Sequence, residues 1–383
     1  MRNNIVFLED SFEIETNKRA RKKTVVYEIM HMEKTVLRFA LNGKTEILNA
    51  DFLPYDLYLE EDDDNDLDTL INNVNNFYHW CASRVLSLDR KYAKELYNSI
   101  GVSQVTTDRD RAEISLSYHC VSLTDVYWVK QVDETITFSE LNLYDHPLND
   151  AIVDISLKGR QMTVTNHELA PDLSTKGCFP KAWIRENHGF KLLKDGGEEA
   201  VKRELLASEI CQCFDIKQVV YKEGRYKGEM ITESDIITSK EFSMVSKMAF
   251  DVYAINHDMD TIDICKEIDP NTYYGMNILD YLTGNTDRHG ENWGFLVDNS
   301  NNKYISLYPL MDFNQCFLAY DTMDGAGCLT VSERGISQRQ AAIEAVKHIG
   351  LRQRKEMDMT KFGDMRQEAA MFELRLAELK KYI

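Results

Sequence analysis

Two early runs of mostly apolar positions, residues 24–29 and 35–41, are strand-like, and Asn42-Gly43 follows the second. Asn-Gly is a strong hairpin turn, so residues 1–58 read as β-rich. From Leu67 to Ile100 the period becomes helical, with Leu70, Val74, Phe77 and Cys81 on one face and Gly101 as the stop. Residues 112–130 mix β-branched and aromatic side chains without a clear period. Further on, Ala182-Trp183-Ile184 and the run 190–194 are strand-like, and the second stops at Asp195-Gly196-Gly197. A helix is predicted from Glu198 to about Phe214, with Leu205, Ile210 and Phe214 among its apolar positions, then β-rich pieces at 217–221 and 229–238. Beyond residue 240 helices dominate. They are interrupted by the runs 295–297 and 304–307, which should pair around the turn at 298–302. Ser337-x-x-Gln340 is a capping-box signal for a helix ending near Gly350, and residues 364–382 form a last helix.

This order predicts an α+β protein: an N-terminal α/β domain at 1–150, a β-rich small lobe at 151–240 and a helical large lobe at 241–383. With 383 residues, 43% of them apolar, the chain can build substantial cores. It contains no apolar run of ~18 residues, and its start lacks a long apolar segment, so no membrane association and a cytoplasmic location are expected. Eight cysteines are too sparse for a disulfide framework, and no Cys/His set has zinc-finger spacing. A formal charge of −18 argues against direct nucleic-acid binding, which rests on a basic surface. The acidic run at 60–68 and the basic run Lys18-Arg19-Ala20-Arg21-Lys22-Lys23 both read as solvated loops.

Chemistry concentrates in Asn285-Thr286-Asp287-Arg288-His289-Gly290-Glu291-Asn292 and in Pro309-Leu310-Met311-Asp312-Phe313. Phosphoryl transfer needs a carboxylate to orient the attacking hydroxyl, and an Asn and an Asp to hold Mg²⁺ between phosphates. Asp287, Asn292 and Asp312 have the spacing of a kinase catalytic loop and metal-ligand pair, with Asp312-Phe313-Asn314 as an approximate D-F-G. Asp312, between Met311 and Phe313, is costly to bury without a cation or several donors. His289 could touch phosphate or bond backbone carbonyls, and Arg288 reads as a solvated surface residue. Lys194, at the end of a strand, is the candidate phosphate-binding lysine, with Lys191 on the opposite strand face. Glu204 is its expected partner, with Glu198, Glu199 and Glu209 as alternatives. The loop Lys176-Gly177-Cys178-Phe179-Pro180-Lys181 is neither G-x-G-x-x-G nor a Walker motif, but it stands directly before the Lys194 strand. A strand-rich small lobe followed by a helical large lobe, with the site between, is the bilobal protein-kinase-like plan.

Ser174-x-x-Gly177-x-x-x-Lys181, the run 190–194, Glu204-Leu205-Leu206-Ala207-Ser208-Glu209, Asp287-x-His289-x-x-Asn292 and Met311-Asp312 resemble the HipA-type serine/threonine kinases of bacteria and their phages. The resemblance covers about residues 165–330, and Asp-x-His-x-x-Asn is its most specific part. It implies a kinase using ATP and Mg²⁺, with Asp287 as catalytic base and Asn292 and Asp312 as metal ligands. It also implies that residues 176–181 form a phosphate-binding loop, and that Ser174 is an autophosphorylation site that switches the enzyme off. The family further implies a helix-turn-helix antitoxin as a candidate partner, which would supply any DNA contact, and leaves the protein substrate unknown. A nucleotide-binding regulator without transfer, and a kinase acting on a small-molecule or lipid hydroxyl, are the alternative readings.

Overall fold

The computed structural model describes residues 24–61, 66–99, 105–146, 153, 156–158, 180–186, 189–318 and 320–383. Strands β1 (Val26–His31), β2 (Lys34–Ala40), β3 (Thr45–Ile47) and β4 (Tyr127–Gln131) form an antiparallel sheet in the order β3-β2-β1-β4. Ile29, Leu37, Phe39 and Val129 on one face bury Phe77, Trp80 and Cys81 of helix α1 (Leu67–Ser83). Asp66, at the end of the acidic run, accepts from Thr69 N at 3.0 Å and so caps this helix rather than standing free. The basic run at 18–23, residues 62–65 and Gly101 lie outside the described residues.

The helix expected to continue to Ile100 breaks at Arg84. Its guanidinium turns inward to Asp125, at 2.6 and 2.9 Å, and to the carbonyls of Cys120 and Tyr127. The chain re-enters a helix only at α2 (Ala93–Ser99). The stretch 112–130 had no single period because it holds the end of helix α3 (Asp108–Ser117), a turn through left-handed His119 and Cys120, and β4. A short helix, α4 (Phe138–Leu141), follows.

A second sheet, in the order β5-β6-β8-β7, contains β5 (Lys181–Glu186), β6 (Gly189–Lys194), β7 (Lys222–Tyr226) and β8 (Glu229–Asp235). Helix α5 (Glu198–Cys211) connects β6 to this sheet's far edge and buries Ala200, Val201, Glu204, Ala207, Ser208 and Cys211, at helical spacing. Residues 217–221 were expected to be a strand. Instead a single parallel bridge joins Gln218 to Leu310, and Val219 and Tyr221 are buried where the sheet meets the helical region.

The remaining chain is helical apart from a three-stranded sheet, β11-β10-β9, made of β9 (Phe242–Ser246), β10 (Gly294–Asp298) and β11 (Lys303–Leu307). Helices α6 (Lys247–Asn256), α7 (Thr261–Ile268), α8 (Pro270–Thr283), α9 (Gln338–Ile349) and α10 (Arg366–Leu379) surround it. Nearly all of α8 is buried, which makes it the axis of the largest core. Ser337 and Gln340 form the expected capping box of α9, and Gly350 ends that helix. The fold is α+β, with sheet-rich and helical regions. Among the described residues no helix is long and apolar enough to cross a membrane.

Candidate active site

Strand β6 places Lys194 beside Lys181 of β5 on one side and Thr232 of β8 on the other. Only 4% of Lys194 is exposed. Its ammonium donates to Glu204 Oε1 at 2.6 Å and to Asp312 Oδ1 at 2.9 Å. The second Glu204 oxygen accepts from Thr232 Oγ1 at 2.6 Å, so both carboxylate oxygens are satisfied. The expected ion pair between Lys194 and Glu204 is therefore present. Lys191 instead pairs with Glu186 and Glu233 at the rim, Glu198 and Glu199 pair with Lys202, and Glu209 faces Lys361.

Helix α8 ends at Gly284 in the left-handed conformation, φ 60°, where an added Cβ would lie 2.3 Å from the Tyr320 ring. This tight stop turns the chain into the loop that carries Asp287 and Asn292 and leads into β10. Asn285 Oδ1 accepts from Asp287 N at 3.1 Å, and Asn292 Nδ2 donates to Asp287 O at 2.7 Å. The amide nitrogen of Asn292 is thereby engaged, leaving its Oδ1 as an oxygen donor. His289 Nε2 lies 3.8 Å from Asp287 Oδ1 and its Nδ1 accepts from Glu291 N at 3.3 Å. After β11, Asp312 follows Leu310, which is locked to residues 217–219 by backbone bonds of 3.1 and 2.8 Å.

Arg288 is not at the surface. It is 2% exposed, and its Nε and Nη2 each reach Asp280 at 3.0 Å. Its Nη1 donates to Asn292 O at 2.8 Å and also to Met311 O. One guanidinium thus ties the helix end, the Asp287–Asn292 loop and the Asp312 segment together, which a fork of five N–H donors can do and a solvated role would not require. Sequence reasoning missed Arg288, Asp280, Thr232 and Tyr221. A buried arginine between Asp and His is written no differently from an exposed one.

Lys181, Lys194, Asp287, His289, Asn292, Met311 and Asp312 line one cleft of about 300 Å³, together with Tyr55, Arg84 and Thr124 from the N-terminal part. Asp235 and Thr238 line it too. Glu204 stands behind Lys194, and Pro180 immediately precedes β5. Ser174, Lys176, Gly177, Cys178 and Phe179 lie outside the described residues.

Electrostatics separate the two aspartates. Burial would raise the Asp312 carboxyl, but Lys194 and Lys181 outweigh it and hold the group down at about 2. Burial raises Asp287, with His289 opposing and the Asp312 charge adding to the rise. Burial also brings Lys181 down to about 8, against the pull of Asp312. A carboxylate kept ionised beside ammoniums suits cation and phosphate binding, and one with a raised pKa suits proton transfer. Among the described residues no group of three His, Cys, Asp or Glu side chains could hold a metal ion. Mg²⁺ is commonly held by one or two protein oxygens plus substrate phosphates, so Asn292 Oδ1 and Asp312 fit that cation when a nucleotide accompanies it.

No protein-family profile matches the chain. The serine/threonine-protein kinase CtkA of Helicobacter pylori is 27% identical over 143 residues, covering 33% of this chain and 43% of that protein. The chain is similar to a serine/threonine kinase. It spans less than half the length of that relative. Among solved structures, the Helicobacter pylori proinflammatory kinase CtkA aligns with a TM-score of 0.39 and 16% identity, over 53% of this chain and 90% of the other. HipA of Shewanella oneidensis, solved with HipB and operator DNA, aligns with a TM-score of 0.48 and 13% identity, over 93% and 97%. The roles of individual residues rest on the geometry of the cleft itself.

Proposed function

We propose that the chain is an ATP- and Mg²⁺-dependent serine/threonine protein kinase of the HipA type. The observation that carries this is the convergence, in one cleft, of a Lys194–Glu204 pair, Asp312 and the Asp287–Asn292 loop, drawn from segments up to 118 residues apart. In this reading Lys194 and Lys181 meet the phosphates, while Asn292 and Asp312 hold the cation. Bound there, the cation would neutralise charge on the transferring phosphoryl group. Asp287, the carboxylate with the raised pKa, accepts the proton of the attacking hydroxyl. Few steps need the protein beyond positioning and charge, which is the usual economy of phosphoryl transfer.

Incubation with labelled ATP and magnesium tests this directly. Asp287→Asn should lower transfer by ~10²–10⁴-fold while leaving nucleotide affinity within a few-fold. Undiminished transfer would remove Asp287 from the role, and absence of nucleotide binding in the unaltered chain would end the kinase reading. Ser174 is proposed as an autophosphorylation site on the strength of the motif match alone. Intact mass after ATP incubation, with Ser174→Ala for comparison, tests it, and equal phosphate uptake by both would exclude it. The antitoxin partner is likewise a proposal, tested by co-purification with a helix-turn-helix protein encoded beside this chain.

A further inference from the structure

Asp312 adopts φ 59°, a left-handed conformation that side-chain-bearing residues rarely enter and that needs surrounding structure to hold it. The peptide bond leading into it is gripped at both ends. Its carbonyl, that of Met311, accepts from Arg288 Nη1, and its N–H, that of Asp312, donates to the Tyr221 hydroxyl at 3.0 Å. Neither grip is loose. Arg288 is fixed by Asp280 and by Asn292 O. Tyr221 is fixed through its own N–H, which donates to Ser208 Oγ of α5 at 3.1 Å. The ring of Phe313, fully buried, stands edge-on to Tyr221 at 6.2 Å, with the Arg288 guanidinium carbon 5.3 Å from its centre.

Rotation of this one peptide would relieve the left-handed strain and release the Cα that anchors the Asp312 carboxylate beside Lys194. It would also break two hydrogen bonds, one of them charge-assisted, which together exceed the strain released. We propose that Tyr221 and Arg288 act as a clamp on the Met311–Asp312 peptide and hold the Asp312 carboxylate toward the cleft. They are positioning residues. Neither needs to touch the nucleotide, and each joins a different region to the same peptide, Tyr221 from the sheet-rich side and Arg288 from the helical side. The inference rests on the reading of Asp312 as a cation ligand.

Tyr221→Phe removes the hydroxyl and keeps the ring that packs on Phe313. Calorimetry with a non-hydrolysable ATP analogue, in magnesium and again in EDTA, reads the effect. The clamp requires affinity in magnesium to fall about five- to ten-fold, the equivalent of one lost hydrogen bond, with affinity in EDTA within about two-fold of the unaltered chain. The magnesium concentration for half-maximal transfer should rise by the same factor. Arg288→Lys, which keeps a cation beside Asp280 but cannot bond both carbonyls, should show the same split more strongly. Equal losses with and without magnesium, or none, would overturn the clamp while leaving the kinase reading intact. Failure of the unaltered chain to bind the analogue in magnesium would overturn both.

Discussion

Lys194→Met is the substitution that most directly tests the electrostatics of the cleft. Methionine keeps much of the lysine's length and removes the charge with its hydrogen bonds to Glu204 and Asp312, in a site where Lys194 is 4% and Glu204 2% exposed. Its ammonium is the leading reason, ahead of Lys181, that Asp312 stays near 2 rather than the ordinary 3.8. That gap of roughly two units corresponds to ~2–3 kcal/mol of folding stability. Glu204 loses its cation as well, and stranding a buried carboxylate brings the expected total to about 3–5 kcal/mol at neutral pH. The sign of the pH dependence follows from the depressed folded value. The Asp312 contribution is complete above the unfolded aspartate range, and it is lost as pH falls through the folded value. Lys194, raised well above the lysine range, stays charged throughout that window. The stability difference between unaltered and Lys194→Met chains should therefore be largest near pH 6 and about 1 kcal/mol smaller near pH 3. Urea unfolding at the two pH values measures it. A difference that does not change between them would show that Asp312 is not held down by Lys194.

Asp312→Ala removes a proposed cation ligand and should weaken nucleotide binding in magnesium by more than about ten-fold with little change in EDTA; titration calorimetry reads both, and equal affinities in magnesium would exclude the role. Because burial raises the Asp287 carboxyl, the kcat/KM profile should lose activity in acid at a pH above the ordinary aspartate value of 3.8, as the base becomes protonated; an acid limb at or below that value would contradict the assignment. Asn302→Gly preserves a left-handed turn, φ 56°, but deletes side-chain bonds to Asp51 O, Leu53 O and Tyr127 Oη at 3.1, 3.0 and 3.1 Å. It should cost about 3 kcal/mol in denaturant unfolding, and a loss under ~1 kcal/mol would mean that those bonds are replaced by water.

What the sequence made legible has a physical pattern. Strands and helices with a clean period were readable: β6, α5, the β10–β11 pair and the capping box of α9 all stand where alternation and spacing put them. So was the Lys194–Glu204 pairing, because strand alternation and helix periodicity each leave few choices. Where an element broke for a tertiary reason, local pattern failed. Arg84 ends α1 to reach Asp125, 41 residues away, and nothing within the helix signals that partner. Val219 and Tyr221 belong to apolar, strand-like text, yet the chain uses them to seal the joint between regions, with one bridge to Leu310 in place of a strand. Arg288 was misread for the same reason, since its burial is decided by Asp280 and two carbonyls rather than by its neighbours in sequence.

The N-terminal part is built into the cleft rather than attached beside it. Tyr55 and Tyr127 donate from their hydroxyls to Asn302 O and Oδ1, at 2.7 and 3.1 Å, at the tip of the β10–β11 hairpin. Met244 N of β9 donates to Thr124 O at 2.8 Å, and the Thr238 hydroxyl donates to Leu123 O. Trp183 and Phe190 of the β5–β6 sheet pack with Trp128 of β4. These contacts reach both the sheet-rich side, through Phe190, and the helical side, through Asn302, so the same N-terminal elements brace the two walls that Lys194 and Asp312 stand on. Removing them would leave polar atoms of Asn302, Thr238 and Met244 without these partners and uncover Trp183 and Phe190 on the sheet. The relative placement of a lysine from one wall and an aspartate from the other, 2.9 Å apart, therefore depends on the N-terminal elements as well as on the segments that carry the two residues.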